Sequence, residues 1–220
     1  MRTRIKICGI TRPADAREAM EAGVDAIGLI FYPHSPRRIN VGAAAEIAAD
    51  VPAFLNVIGV FVDREVKEIE KVLLKVSISC LQFHGDELAE DCEQFGLPYI
   101  KTIRMKNDVI PERAAEAHPN ARALLLDTYH SSKYGGTGET FFWEHGRNFK
   151  ARSIIIAGGL TPTNVSEAMM LSGAYGIDVS TGVESEPGIK DSNKIRDLVA
   201  VVRAHDHVMT GEASECGQNL

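Results

Sequence analysis

A single (β/α)8 barrel is the fold that the sequence predicts. Eight short apolar runs recur about every 25 residues, most intervals between them carry helical periodicity, and 220 residues is close to the smallest chain in which eight such units close. An open doubly wound sheet is the nearest competitor, but it calls for strongly apolar central strands beside more ordinary edges. All eight runs here are comparably apolar, which favours closure.

Taken in order, I-K-I-C from residue 5 precedes P-A-D-A-R-E-A-M-E-A-G, where proline opens a helix and glycine ends it. A-I-G-L-I-F from 26 is the second strand, and V-I-G-V-F-V from 57 precedes the amphipathic V-K-E-I-E-K-V-L-L-K-V. I-S-C-L-Q-F from 78, Y-I-K-T-I from 99 and A-L-L-L-D from 123 follow. S-I-I-I-A from 153 leads into P-T-N-V-S-E-A-M-M-L-S-G, and Y-G-I-D-V from 175 is the eighth strand. The weakest helical interval lies between Asp127 and Ser153, where a long loop, Y-H-S-S-K-Y-G-G-T-G, precedes a short F-F-W-E-H pattern. After Ala204 the apolar periodicity is lost. The expected organisation is a catalytic barrel over 1–205 and a polar, partly disordered tail over 206–220 that the fold can do without.

The net charge of −6 and the absence of long lysine and arginine runs argue against a nucleic-acid or anionic-membrane binder, so any anion must be held locally. No stretch reaches the roughly 18 apolar residues of a membrane span, and the charged start M-R-T-R-I-K has no signal-peptide core. A cytoplasmic protein is expected, with Cys8, Cys80, Cys92 and Cys216 as free thiols. Cys80 and His84 are four apart, but no second ligand pair stands nearby, so no metal site is expected.

In barrels of this kind the loops at the C-terminal ends of the strands build the active site. The polar residues there are Cys8, Arg37, Asp63, His84, Arg104, Asp127 and Asp178. A-G-G-L at 157–160 and D-V-S-T-G-V-E at 178–184 follow strands 7 and 8, where glycine lets backbone N–H groups approach a phosphate. G-G-T-G at 135–138 is either a third phosphate contact or a lid. In S-P-R-R, one of two arginines could clamp a substrate carboxylate, although a solvated basic loop is the commoner role of such residues. If Ile5 and Ile7 face the helices, Cys8 faces the barrel mouth with Lys6 one layer below, where an ammonium would favour a thiolate. The thiol is therefore expected to titrate below about 8.5. Asp127 ends an apolar run, and desolvation there would favour its protonated form. One group is thus pushed toward a base and the other toward an acid.

Between residues 6 and 191, K-I-C-G-I-T, G-L-I-F with S-P-R, I-G-V-F, Q-F-H-G, L-L-D with G-G-T-G, A-G-G-L-T-P-T-N-V and D-V-S-T-G-V-E-S-E-P-G-I-K-D occur in order. Together they resemble the phosphoribosylanthranilate isomerase family of tryptophan biosynthesis. The resemblance implies a cofactor-free Amadori rearrangement of N-(5-phosphoribosyl)anthranilate to 1-(2-carboxyphenylamino)-1-deoxyribulose 5-phosphate, by a monomer or homodimer. It implies Cys8 as general base, Asp127 as general acid and Arg37 as the group meeting the anthranilate carboxylate. Gly158, Gly159 and Gly182, with Ser180 and Thr181, would hold the phosphate, and His84, Gly136 and Asp178 are further candidate substrate contacts. F-F-W at 141–143 stands where the family commonly has F-D-W, and the tail is longer than the family needs. The competing readings are another sugar-phosphate isomerase or epimerase barrel, and a non-catalytic barrel that binds a phosphorylated ligand.

Overall fold

The structure, a computed structural model, describes residues 2–105, 111–128, 143 and 153–216. Its eight parallel strands close into a barrel in chain order: β1 (Arg4–Cys8), β2 (Ala26–Ile30), β3 (Asn56–Phe61), β4 (Cys80–Phe83), β5 (Tyr99–Met105), β6 (Ala123–Thr128), β7 (Ser153–Ile156) and β8 (Gly176–Val179). Every expected strand is present, within a few residues of its apolar run. The helices are α1 (Pro13–Glu21), α2 (Val41–Ala49), α3 (Val66–Leu73), α4 (Ala89–Glu93), α5 (Pro111–Ala117), α6 (Val165–Ser172) and α7 (Ser192–Cys216). Among the described residues, none of these helices is long and apolar enough to cross a membrane.

Strand alternation divides the interior into two layers. Ile5, Ile7, Ile27, Leu29, Leu124 and Leu126 pack outward against helix residues such as Ala16, Ala19 and Ile69. Each such fully buried side chain contributes roughly 1.5–3 kcal/mol. The alternate positions Ala26, Ile58, Ile100, Ala123, Leu125 and Ile155, with Ala157 just beyond β7, form a separate cluster that fills the lumen. Because Ile5 and Ile7 belong to the outer layer, Lys6 and Cys8 face inward. The closing register sets Lys6 beside Asp178 of β8, and the next pair sets Cys8 beside Gly28 of β2.

Local signals place the helix ends. The Asn40 side chain accepts from the Ala43 N–H at 2.9 Å and caps α2, while α6 stops at Gly173 in the left-handed region (φ 59°). After β8 a single 3-10 turn (Thr181–Val183) leads into a small antiparallel ribbon, β9 (Glu184–Glu186) and β10 (Ile189–Lys190). That ribbon was not anticipated from the sequence, although Pro187-Gly188 is an ordinary turn signal between its strands.

The boundary expected at residue 205 is corrected. Helix α7 runs through it for 25 residues to Cys216. Asp206 accepts hydrogen bonds from the Thr3 N–H and Oγ1 (2.7–3.0 Å), and Arg203 donates to the Thr3 carbonyl at 2.8 Å. A polar latch holds this segment to the start of β1, so the loss of apolar periodicity did not signal the end of the fold. Residues 217–220, the G-G-T-G stretch with Gly136, and Phe141 and Phe142 lie outside the described residues.

Candidate active site

The C-terminal ends of the strands enclose a cavity of about 450 Å³. It gathers side chains that are far apart in the chain: Cys8 from β1, Arg37 from the loop after β2, His84 from the end of β4, Asp127 from β6 and Asp178 from β8. Gly158, Gly159, Ser180 and Thr181 complete one side. Two other strand-end residues do not line it. Asp63 (φ 45°) accepts the Asp86 N–H at 2.7 Å, Arg104 pairs with Asp86, and both serve the loops after β3, β4 and β5.

The floor beneath Cys8 is charged. The buried Lys6 ammonium lies 2.8 Å from Asp178 Oδ2. Gly28 makes this packing feasible, since a Cβ there would sit 2.8 Å from Cys8 Sγ and 3.1 Å from Lys6 Nζ. Burial pushes the Cys8 thiol up; Lys6 and, more weakly, Lys190 oppose that push, while Asp178 reinforces it, and the net direction is upward. The expectation of a thiol titrating below its ordinary value is therefore overturned for the free protein. Lys6 is present as foreseen, but Asp178 already neutralises it. The same carboxylate, through charge and a hydrogen bond, holds Lys6 above its ordinary range although burial alone would lower it.

Across the cavity, His84 Nε2 lies 3.2 Å from Asp127 Oδ2. Behind His84 the buried Gln82 amide donates to Thr102 Oγ1 at 3.1 Å and stands 3.4 Å from His84 Nδ1. Gln82 Oε1 and Asp178 Oδ1 are buried acceptors with no hydrogen-bond partner among the described residues. Both residues line the cavity, so both have unused capacity where a ligand's hydroxyl donors would lie.

The upper rim is an ion cluster. Arg37 Nε and Nη2 donate to the two oxygens of Glu184, each at 2.7 Å, and Lys190 Nζ lies 2.8 Å from Glu184 Oε1. Burial alone would raise Glu184, but Arg37 and Lys190 outweigh it and hold the carboxyl below its usual range. Burial pulls Lys190 down, partly offset by Glu184. Two cations share one carboxylate, so the rim keeps a surplus positive charge, and the second terminal nitrogen of Arg37 is not used by Glu184. Gly9 (φ 75°) lets β1 pass under the arginine, because a Cβ there would meet Arg37 Cδ at 2.6 Å.

Gly158 (φ 82°) and Gly159 (φ 65°) take backbone conformations that favour glycine. Asn164 fixes their loop by accepting the Thr161 N–H at 2.8 Å and donating to the Gly159 carbonyl at 2.9 Å. Gly182 does not line the cavity. It lets the two loops meet, since a Cβ there would overlap the Leu160 carbonyl oxygen. Glu184, Lys190, Gln82, Gly28 and Asn164 escaped sequence reasoning as site-builders. Glu184 and Lys190 could have been found by reading E-S-E-P-G-I-K as a hairpin that brings its ends together.

The family model described as N-(5'-phosphoribosyl)anthranilate isomerase matches residues 5–201. The curated N-(5'-phosphoribosyl)anthranilate isomerase of Neisseria gonorrhoeae is 48% identical over 197 residues, 90% of this chain and 95% of its own. That of Pseudomonas fluorescens is 48% identical over 200 residues, 91% of this chain and 95% of its own. The crystal structure of phosphoribosyl anthranilate isomerase from Thermotoga maritima superposes with a TM-score of 0.84 at 34% identity, covering 92% of this chain and 99% of that one. A further phosphoribosyl anthranilate isomerase structure, at 33% identity and TM-score 0.79 over 92% of this chain and 99% of its own, holds reduced 1-(o-carboxyphenylamino)-1-deoxyribulose 5-phosphate. With the match running from the first strand into the last helix, and with relatives nearly half identical over nine-tenths of its length, the chain belongs to the N-(5'-phosphoribosyl)anthranilate isomerase family.

Proposed function

We propose that this protein catalyses the Amadori rearrangement of N-(5-phosphoribosyl)anthranilate to 1-(2-carboxyphenylamino)-1-deoxyribulose 5-phosphate in tryptophan biosynthesis, with Cys8 as general base and Asp127 as general acid. The observation that carries these roles is that Cys8 and Asp127, on β1 and β6, face one cavity whose rim is formed by the β7 and β8 glycine loops and Arg37. Asp127 donates its proton to the furanose ring oxygen, the C1–O bond breaks, and the anilino nitrogen lone pair forms the iminium. Ionised Cys8 then removes the proton from C2, those electrons move to the iminium, and the resulting enolamine tautomerises to the ketone. Both transfers run between side chains and substrate, and the route requires no cofactor.

The glycine loops anchor the phosphate, and the free edge of Arg37 meets the anthranilate carboxylate. Glu184 keeps that guanidinium oriented. Binding at both ends of the substrate holds the reacting carbons between base and acid. The protein acts in the cytoplasm as a monomer or homodimer. The test is the loss of phosphoribosylanthranilate fluorescence on mixing with the protein. Catalysed decay is expected, and decay no faster than the spontaneous reaction would refute the activity and leave the phosphate-ligand-binding barrel as the better reading.

A further inference from the structure

We propose that Lys6 is a positioning residue whose buried ammonium, lying between Asp178 and Cys8, sets the charge state of the base. Lys6 and Cys8 are two apart on β1 and so point into the lumen together. Asp178 is the register partner of Lys6 on β8 and lies 2.8 Å from its ammonium. The thiol and the ammonium both abut Gly28, within 2.8 and 3.1 Å of the place a side chain would occupy there, so the three groups form one packed unit.

Counting charge gives the consequence. With the thiol protonated, the ammonium and the carboxylate cancel and the buried unit is neutral. Ionising Cys8 leaves it at minus one in a water-poor place, which costs free energy. Among the described residues, the cations that act most on the sulfur are Lys6 from the same strand and, more weakly, Lys190 from β10, itself paired with Glu184. Asp178 opposes them, and Asp127 and His84 stand across the cavity. Lys6 therefore decides whether a thiolate is accessible at all. Asp178 Oδ1 has no partner among the described residues, so a substrate hydroxyl donating there would draw charge away from the Lys6 pair. The ammonium would then be freer to favour the thiolate once substrate is bound. The proposal depends on the isomerase reading only for what the thiolate is used for.

The test reads Cys8 in the free protein, by site-resolved mass spectrometry of iodoacetamide modification against pH, so it is independent of turnover. Cys80 and Cys92, pushed up to about 11 and about 12 by burial, fall in a tryptic peptide separate from that of Cys8. Lys6→Met leaves one buried anion beside the thiol and should move its titration up. Asp178→Asn leaves one buried cation and should move it down. The double variant should return close to the parent, because neither charge remains. A residue that only shaped the cavity would move both single variants the same way or neither, and that result overturns the proposal. If Lys6→Met does not fold, Asp178→Asn and the double variant still decide it: a downward shift reversed in the double variant is expected, and no shift contradicts it. In turnover, Lys6→Met should lower kcat by more than tenfold with KM within about threefold. A loss confined to KM would also count against the assignment.

Discussion

The two ends of the barrel both carry buried or half-buried ions, and they use them differently. At the N-terminal end Asp25 receives Arg2, Arg4 and the Ile5 N–H, and Asp206 receives the Thr3 N–H and hydroxyl. Those carboxylates are tied to backbone and side chains, and they fasten the first strand to β2 and α7. At the C-terminal end, Arg37 and Lys190 share a single carboxylate, Lys6 balances Asp178 beside a thiol, and two buried acceptors lack partners among the described residues. The contrast teaches where function sits. The carboxylates at the first end are engaged in fastening the fold, whereas the cavity end keeps charge and acceptors that a ligand can use.

The sharpest way to break that contrast is to mutate each end and read both stability and turnover. Cys8→Ala and Asp127→Asn should each lower kcat by at least 10² to 10⁴, the usual contribution of a positioned acid or base, with little change in melting temperature. Asp25→Ala should do the reverse, lowering the melting temperature while kcat stays within a few fold. A parallel loss of both properties at either end would erase the distinction.

Next in size is the rim. Arg37→Ala should raise KM by an amount equivalent to about 2–5 kcal/mol and also lower stability, because it strands buried Glu184. Arg38 is exposed, and Arg38→Ala should change KM by less than threefold. Equal effects would detach the carboxylate clamp from Arg37.

Ending the chain after His205 removes the Asp206 latch. A hydrogen bond to a charged group contributes about 1.5–3 kcal/mol, and each kcal/mol corresponds to about 2–4 °C for a domain of this size. A fall of roughly 3–12 °C in melting temperature is expected, with kcat preserved in the folded protein. An unchanged melting temperature would restore the dispensable tail that the sequence suggested.

The smallest effect is in acid. Glu184 and Asp25 are held below the ordinary carboxylate range, so their folded forms bind protons less readily than the unfolded chain. Their contribution is fully present at neutral pH and is lost as pH falls from the ordinary carboxylate range through their lowered values. Glu184→Gln should flatten this part of the stability curve, and an unaltered slope would remove Glu184 as a contributor.

The barrel was legible because each strand is an apolar run and most of the turns carry proline or glycine. Cys8, His84, Asp127 and Asp178 were legible because they stand at or beside strand ends, and Arg37 because it belongs to the S-P-R motif in the loop after β2. What escaped depends on closure. Gly28 matters only because β2 lies against β1, and the Lys6–Asp178 pair exists only because the eighth strand returns beside the first. Burial is what pushes the thiol up, and that pairing keeps Lys6 from reversing the push. Helix α7 continues past residue 205 on a latch to Thr3, a contact between opposite ends of the chain that no local window contains.

A paired measurement on Cys8→Ala separates the two proposed roles, chemistry at Cys8 and binding at the rim. The variant is titrated with reduced 1-(o-carboxyphenylamino)-1-deoxyribulose 5-phosphate, and its turnover of phosphoribosylanthranilate is followed by fluorescence. The Kd should stay within about threefold of the parent's while kcat falls by at least the roughly 10² expected of a lost general base. Turnover close to that of the parent, with the thiol gone, would contradict the chemical role of Cys8.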